Sequence, residues 1–275
     1  MKIQNMEWTF LIQSNSRAQR VKSLLIKINT LRQYNKKIKI IISDNGNQGE
    51  ESFKQDLISF QYIDNSMYKD AKSHVDQIFN MGLKNFFYIH DDDEVQIENL
   101  LIAMDFIQSV RPICLISPKL RIPNIVQFKN INEIFNLYFL SYDNNCPLFS
   151  GIYMENTSYV KEKHMLENLI DGKYADVQFV SRLLLNTNSY LFNLPYLNYI
   201  EHDSNDNKIR NLSDRIALSK FIRGNKGVSN FIISLLVFHG YKQKISLFIL
   251  GVILAIFYPP LSWKIIKKII KKITK

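Results

Sequence analysis

The run Phe86-Phe87-Tyr88-Ile89-His90-Asp91-Asp92-Asp93-Glu94 decides how the rest of the chain is read. Its first four residues are apolar, aromatic or β-branched, and form a run of strand length. Four of the next five are acidic. Adjacent carboxylates repel one another, so a fold keeps them at a strand end only when something neutralises them. A hard divalent cation does this, because Mg²⁺ and Mn²⁺ take oxygen ligands and tolerate a half-open shell. The plainer readings are a solvated acidic loop, or carboxylates favoured by the dipole of a helix beginning near Ile97.

Strands and helices alternate on both sides of this run. Toward the N-terminus, residues 8–12 read as a first strand, and Val21, Leu24, Leu25, Ile28 and Leu31 recur at helical period. Residues 38–42 are a second β-branched run, closed by the turn chemistry of Ser43-Asp44-Asn45-Gly46. A short helix around Phe53 and Leu57 is expected to lead to a strand at 60–63, and Ala71, Val75, Ile78 and Phe79 mark another helix. Toward the C-terminus, Ile97, Leu100, Leu101, Met104 and Ile107 line a helix that leads to a strand at 113–116. Such alternation predicts an α/β domain, a mainly parallel sheet covered on both faces, with ligands bound beyond the carboxyl ends of its strands. The second half is less regular. Residues 134–140 and 151–154 read as strands, 157–169 and 175–185 as helices, and 201–211 as a polar loop.

The formal charge of +10 is unevenly placed. Eight lysines and no acidic residue follow Tyr241, which leaves +2 for the first 241 residues. A nucleic-acid binder spreads basic residues over a domain face, so a nucleic-acid partner is not expected. An excess confined to one tail points to an anionic membrane surface. Residues 245–263 carry no charge, and the stretch after them sets lysines and isoleucines on opposite helical faces, the pattern of an interfacial helix. A helical membrane-associating segment is therefore expected over 211–275, peripheral or monotopic on the cytoplasmic face. A partner-binding or dimerising tail is the alternative, so an oligomer stays open. Cys114 and Cys146 make no disulfide framework, and the N-terminus lacks a signal peptide's apolar core.

The order of motifs resembles family 2 of the glycosyltransferases, of GT-A fold. Gln13-Ser14-Asn15-Ser16-Arg17 stands where that family has a T-Y-N-R-like turn, and Ser43-Asp44-Asn45-Gly46-Asn47 where it has its nucleoside element. Asp91-Asp92-Asp93 matches the D-x-D metal motif, and Asp176 to Arg182 the acidic helix start usually written E-D-x-x-x-x-x-R. His202 stands where a histidine often completes the metal or diphosphate site. The resemblance implies a GT-A domain over residues 1–210, a Rossmann-like fold for nucleotide-diphospho-sugars. It implies an inverting transfer of a sugar from a nucleotide-sugar, UDP-linked by preference, to a glycan or lipid-linked hydroxyl in bacterial surface polysaccharide synthesis.

On the same resemblance, Asp176 is the general base, and Mn²⁺ or Mg²⁺ is held by Asp91, Asp93 and His202, with Asp92 serving if the motif is shifted by one. Donor contacts fall to Ser14, Arg17, Asp44, Asp91, Asp92, Gly151, Lys208 and Arg210. Asp44 would accept a hydrogen bond from the base; its plain reading is a turn-capping Asp. Gly151 would let the backbone approach the sugar, or else simply turn the chain. Two rivals remain. A metal-dependent nucleotidyltransferase calls for a Gly-rich N-terminal loop, and residues 13–17 contain no glycine. A catalytically silent, membrane-bound scaffold of the same fold is the other.

Overall fold

The computed structural model describes residues 6–67, 71–129, 133, 150–156, 179–180, 183–185 and 188–199. All but Glu133 belong to one compact unit. The expected alternation is present: β1 (Trp8–Ser14), α1 (Ala18–Thr30), β2 (Ile38–Asp44), β3 (Gln61–Asp64), α2 (Ala71–Asn80), β4 (Lys84–His90), α3 (Ile97–Val110), β6 (Cys114–Ile116) and β7 (Ile152–Asn156). Three further strands of three residues each, β5 (Asp93–Val95), β8 (Ser189–Leu191) and β9 (Leu197–Tyr199), are too short to show a period in the sequence.

Seven strands form one sheet in the order β3-β2-β1-β4-β7-β6-β8, while β5 and β9 pair apart from it. The pairs β1–β2, β1–β4, β2–β3 and β6–β8 are parallel, and β7 runs antiparallel to both β4 and β6. The fold is thus mixed α/β with a mainly parallel central sheet. Strand order turns back at β1, since β2 lies on one side and β4 on the other. In open α/β sheets that reversal opens a crevice at the carboxyl ends, where ligands bind. Register levels the strand ends there: Ser14 lies opposite Asp44, and Gln13 opposite His90.

Helix α1 buries Val21, Leu24, Leu25 and Ile28, the i, i+3, i+4, i+7 stripe expected of a helix with one face on a sheet. Beneath it the core is aromatic. Phe87 stacks on Phe10 with centroids 5.2 Å apart and lies 5.3 Å from Tyr153 and 5.8 Å from Tyr196, contacts worth about 0.5–1.5 kcal/mol each beyond their area. The Phe87 side chain thereby anchors the strand that carries the acidic run.

One expected element is corrected. The short helix around Phe53 and Leu57 is a 3-10 turn, Glu50–Phe53, that buries Phe53 only. Leu57 is fully exposed at φ 64°, so it adds no helical face. The strand expected at 134–140 and the helix at 157–169 lie outside the described residues, as does the start of the helix at 175–185. Of that last helix, Phe179, Val180, Leu183 and Leu184 are helical and buried. Among the described residues no helix is long and apolar enough to cross a membrane.

Candidate metal and nucleotide site

The site is built where three strands end. After β1, the amide of Asn15 donates to Asp91 Oδ2 at 2.6 Å, the Ser14 hydroxyl to the same oxygen at 3.3 Å, and Arg17 Nη1 to Asp91 Oδ1 at 3.1 Å. Asp91 is buried, with both carboxylate oxygens accepting from the turn that precedes α1. Arg17 Nη1 also lies 3.0 Å from Asp92 Oδ2. Partial burial works against the Arg17 charge, and the two carboxylates more than offset it, so its pKa is raised. Asp91, which the resemblance pairs with Asp93 as a metal ligand, holds Arg17 and the β1–α1 turn in this structure.

After β2, the buried Asp44 carboxylate closes its own loop. It accepts from the amides of Gly46 at 2.9 Å, Gln48 at 2.7 Å and Gly49 at 3.2 Å, and from the Tyr62 hydroxyl at 3.0 Å. Of the two readings open for Asp44, this geometry is that of the turn cap. A side chain at Gly46 would collide with the Ser16 backbone, so glycine there lets the loops after β1 and β2 touch. Gly151, at φ 80°, turns the chain into β7, its amide donating to Tyr88 O at 2.8 Å.

After β4, His90, Asp92 and Asp93 converge. Each offers one ligand atom, and these atoms all lie within 4.8 Å of one another. Ser150 ties the group together. Its hydroxyl accepts from the His90 amide at 2.9 Å and hydrogen-bonds Asp93. Burial pushes the Asp93 carboxyl up to about 7; the Ser150 bond opposes this, Asp92 and Asp91 add to it, and Arg17 opposes it. Glu94 pairs with Lys27 of α1. Among the described residues, the ion pairs to the four adjacent acids come from Arg17 and Lys27. Among the described residues these two cations do not match the four acids, an imbalance that a divalent cation would offset. The donor set of one imidazole nitrogen and two carboxylates suits such an ion.

Two members of this group, His90 and Ser150, were not picked out from the sequence. His90 had only its place beside the acids to mark it. Ser150 is sixty residues away, brought in by the antiparallel β4–β7 pairing. Asp176, His202, Lys208 and Arg210, and the segment 211–275, lie outside the described residues.

No protein-family model matches the sequence, and no curated protein sequence matches it significantly. Solved structures do match in fold. Residues 1–349 of S. aureus TarS in complex with UDP-GlcNAc superpose with a TM-score of 0.54 at 11% identity, over 97% of this chain and 81% of that one. The same region in complex with UDP gives 0.54 at 12% identity, over 86% and 73%. A longer TarS structure gives 0.52 at 12% identity, over 88% of this chain and 45% of that one. At such identities the likeness is one of architecture: this chain has the mixed α/β, GT-A-like fold of a protein solved with UDP-GlcNAc and with UDP.

Proposed function

We propose that this protein is a metal-dependent glycosyltransferase that moves a sugar from a nucleotide-sugar, UDP-linked by preference, to a hydroxyl with inversion. The observation that carries the reading is the convergence of His90, Asp92 and Asp93 at the strand-order reversal, next to Arg17. The fold shared with a protein solved with UDP-GlcNAc supports the same donor class.

In this reading the carboxylates of Asp92 and Asp93, beside His90, hold Mn²⁺ or Mg²⁺, which when bound offsets charge developing on the leaving diphosphate. Asp91 keeps Arg17 against the acidic loop, so the guanidinium faces the diphosphate from a fixed position. Ser150 orients the Asp93 carboxylate. Asp176 takes the proton of the acceptor hydroxyl from the side opposite the leaving group; the resemblance assigns His202 to the metal and Lys208 and Arg210 to the donor. The acceptor is a glycan or lipid-linked hydroxyl of bacterial surface polysaccharide synthesis, reached at the cytoplasmic face through a membrane-associating C-terminal segment.

The test is a panel of nucleotide-sugars with Mn²⁺, scored for transfer or slow hydrolysis. One UDP-sugar should be consumed, and Asp176→Asn should abolish turnover while leaving donor affinity unchanged. Consumption of no nucleotide-sugar, with release of pyrophosphate from a nucleoside triphosphate instead, would favour a nucleotidyltransferase.

A further inference from the structure

His90 differs in kind from the carboxylates around it. Its ring sits edge-on to Tyr88, with centroids 5.1 Å apart, and Nε2 lies 3.2 Å from the Tyr88 hydroxyl. Both residues lie on β4 two positions apart, so they share a face of the strand. Tyr88 is buried, which fixes the phenol. An imidazole that donates Nε2–H to this oxygen keeps its lone pair on Nδ1. That is the outer-shell arrangement that orients metal-bound histidines. The His90 main chain is held separately, by its amide bond to Ser150.

We infer that His90 is a direct ligand of the divalent cation, that Tyr88 is the positioning residue for its ring, and that the site therefore selects Mn²⁺ or Co²⁺ over Mg²⁺ and Ca²⁺. The inference rests on the proposed nucleotide-sugar reading only for the presence of a cation. Two ligands about 2.1 Å from one ion are at most about 4.2 Å apart. One His90 ring nitrogen and one oxygen each of Asp92 and Asp93 already lie within 4.8 Å of one another, so a small adjustment brings the three to one ion. Mg²⁺ and Ca²⁺ prefer oxygen throughout, whereas affinity for a nitrogen ligand rises along the first transition row from Mn²⁺ to Co²⁺. One imidazole among carboxylates therefore biases the choice without excluding manganese.

The experiment uses the full chain and two readouts that do not depend on turnover. Calorimetry with Mn²⁺, Co²⁺, Mg²⁺ and Ca²⁺, with UDP present, gives the selectivity. Pulsed electron paramagnetic resonance of the Mn²⁺-loaded protein detects a directly bound imidazole through its ¹⁴N modulation. The unaltered protein should prefer Mn²⁺ and Co²⁺ and show the modulation. His90→Asp should keep metal binding, lose the modulation, and bring Mg²⁺ affinity close to that for Mn²⁺. His90→Gln, which keeps a neutral polar side chain, should lose the modulation too and serves if His90→Asp does not fold. Tyr88→Phe should keep the modulation and weaken Mn²⁺ binding about tenfold. Bound Mn²⁺ without ¹⁴N modulation, or unchanged selectivity in His90→Asp, would overturn this inference and leave the glycosyltransferase reading standing. Unchanged Mn²⁺ affinity in Tyr88→Phe would remove Tyr88 from it. Failure of the unaltered protein to bind any of the four ions would overturn both.

Discussion

Arg17 donates to Asp91 across 3.1 Å, and that bond ties the turn after β1 to the loop after β4. The two residues are 74 positions apart in sequence, and Asp91 is buried while Arg17 is partly exposed. Asp91→Ala would strand the Ser14 hydroxyl and the Asn15 amide and leave Arg17 with Asp92 alone. A loss of about 2–3 kcal/mol is expected, since each orphaned group costs about 1 kcal/mol or more and Arg17 keeps some access to water. Urea unfolding measures it. A loss under about 0.5 kcal/mol would mean that the turn stands without Asp91.

Asp44 separates folding from binding. Four donors converge on its carboxylate, three of them amides of its own loop. Asp44→Ala should destabilise the protein by about 2–4 kcal/mol, and Asp44→Asn by less. If Asp44 instead reads the nucleobase, Asp44→Asn would leave the melting temperature unchanged and weaken UDP binding, a pattern calorimetry and thermal melting together would reveal.

Asp93 sets a pH dependence. Burial raises its carboxyl to about 7, above the ordinary 3.8. In metal-free protein the folded state binds the proton more tightly than the unfolded state does. Stability from this group is therefore full below pH 4, falls as pH rises toward 7, and is flat above that. Asp93→Asn removes the titration. In a chelator-treated sample the variant should melt higher than the unaltered protein at pH 8, and the gap should narrow by pH 5. A gap independent of pH would contradict the raised pKa.

The C-terminal segment is tested by truncation. Each lysine beside an anionic bilayer contributes about 1 kcal/mol, screened by salt, while apolar contact is not screened. Removing residues 242–275 should yield a protein that no longer floats with anionic liposomes yet still binds UDP with Mn²⁺. Removing residues 264–275 should leave partial binding. Complete release of the full chain by salt alone would mean a purely electrostatic attachment.

Elements longer than three residues were mostly legible because burial imposes a period. The helical stripe of Val21, Leu24, Leu25 and Ile28 and the runs in β1, β2 and β4 each announce a face. Strand β5 was not, since it consists of Asp93, Glu94 and Val95, and its acidic residues read as motif rather than strand. Leu57 was misread because an apolar residue four after Phe53 fits a helix, and nothing local reveals that it faces solvent. The acidic loop and its place at a strand end were legible from residues 86–94 alone. Which of its residues converge was not. That depends on Arg17 reaching back to Asp91 and Asp92, on Lys27 reaching Glu94, and on Ser150 arriving through β7.

The central claim is that nucleotide diphosphate binding runs through a cation held by the loop after β4. Isothermal calorimetry of UDP with and without Mn²⁺, on the unaltered protein and on Asp93→Ala, tests it most directly. The account predicts tight binding with Mn²⁺ and weak binding without it in the unaltered protein, and weak, Mn²⁺-independent binding in Asp93→Ala. Equal UDP affinity with and without Mn²⁺ in the unaltered protein would contradict it.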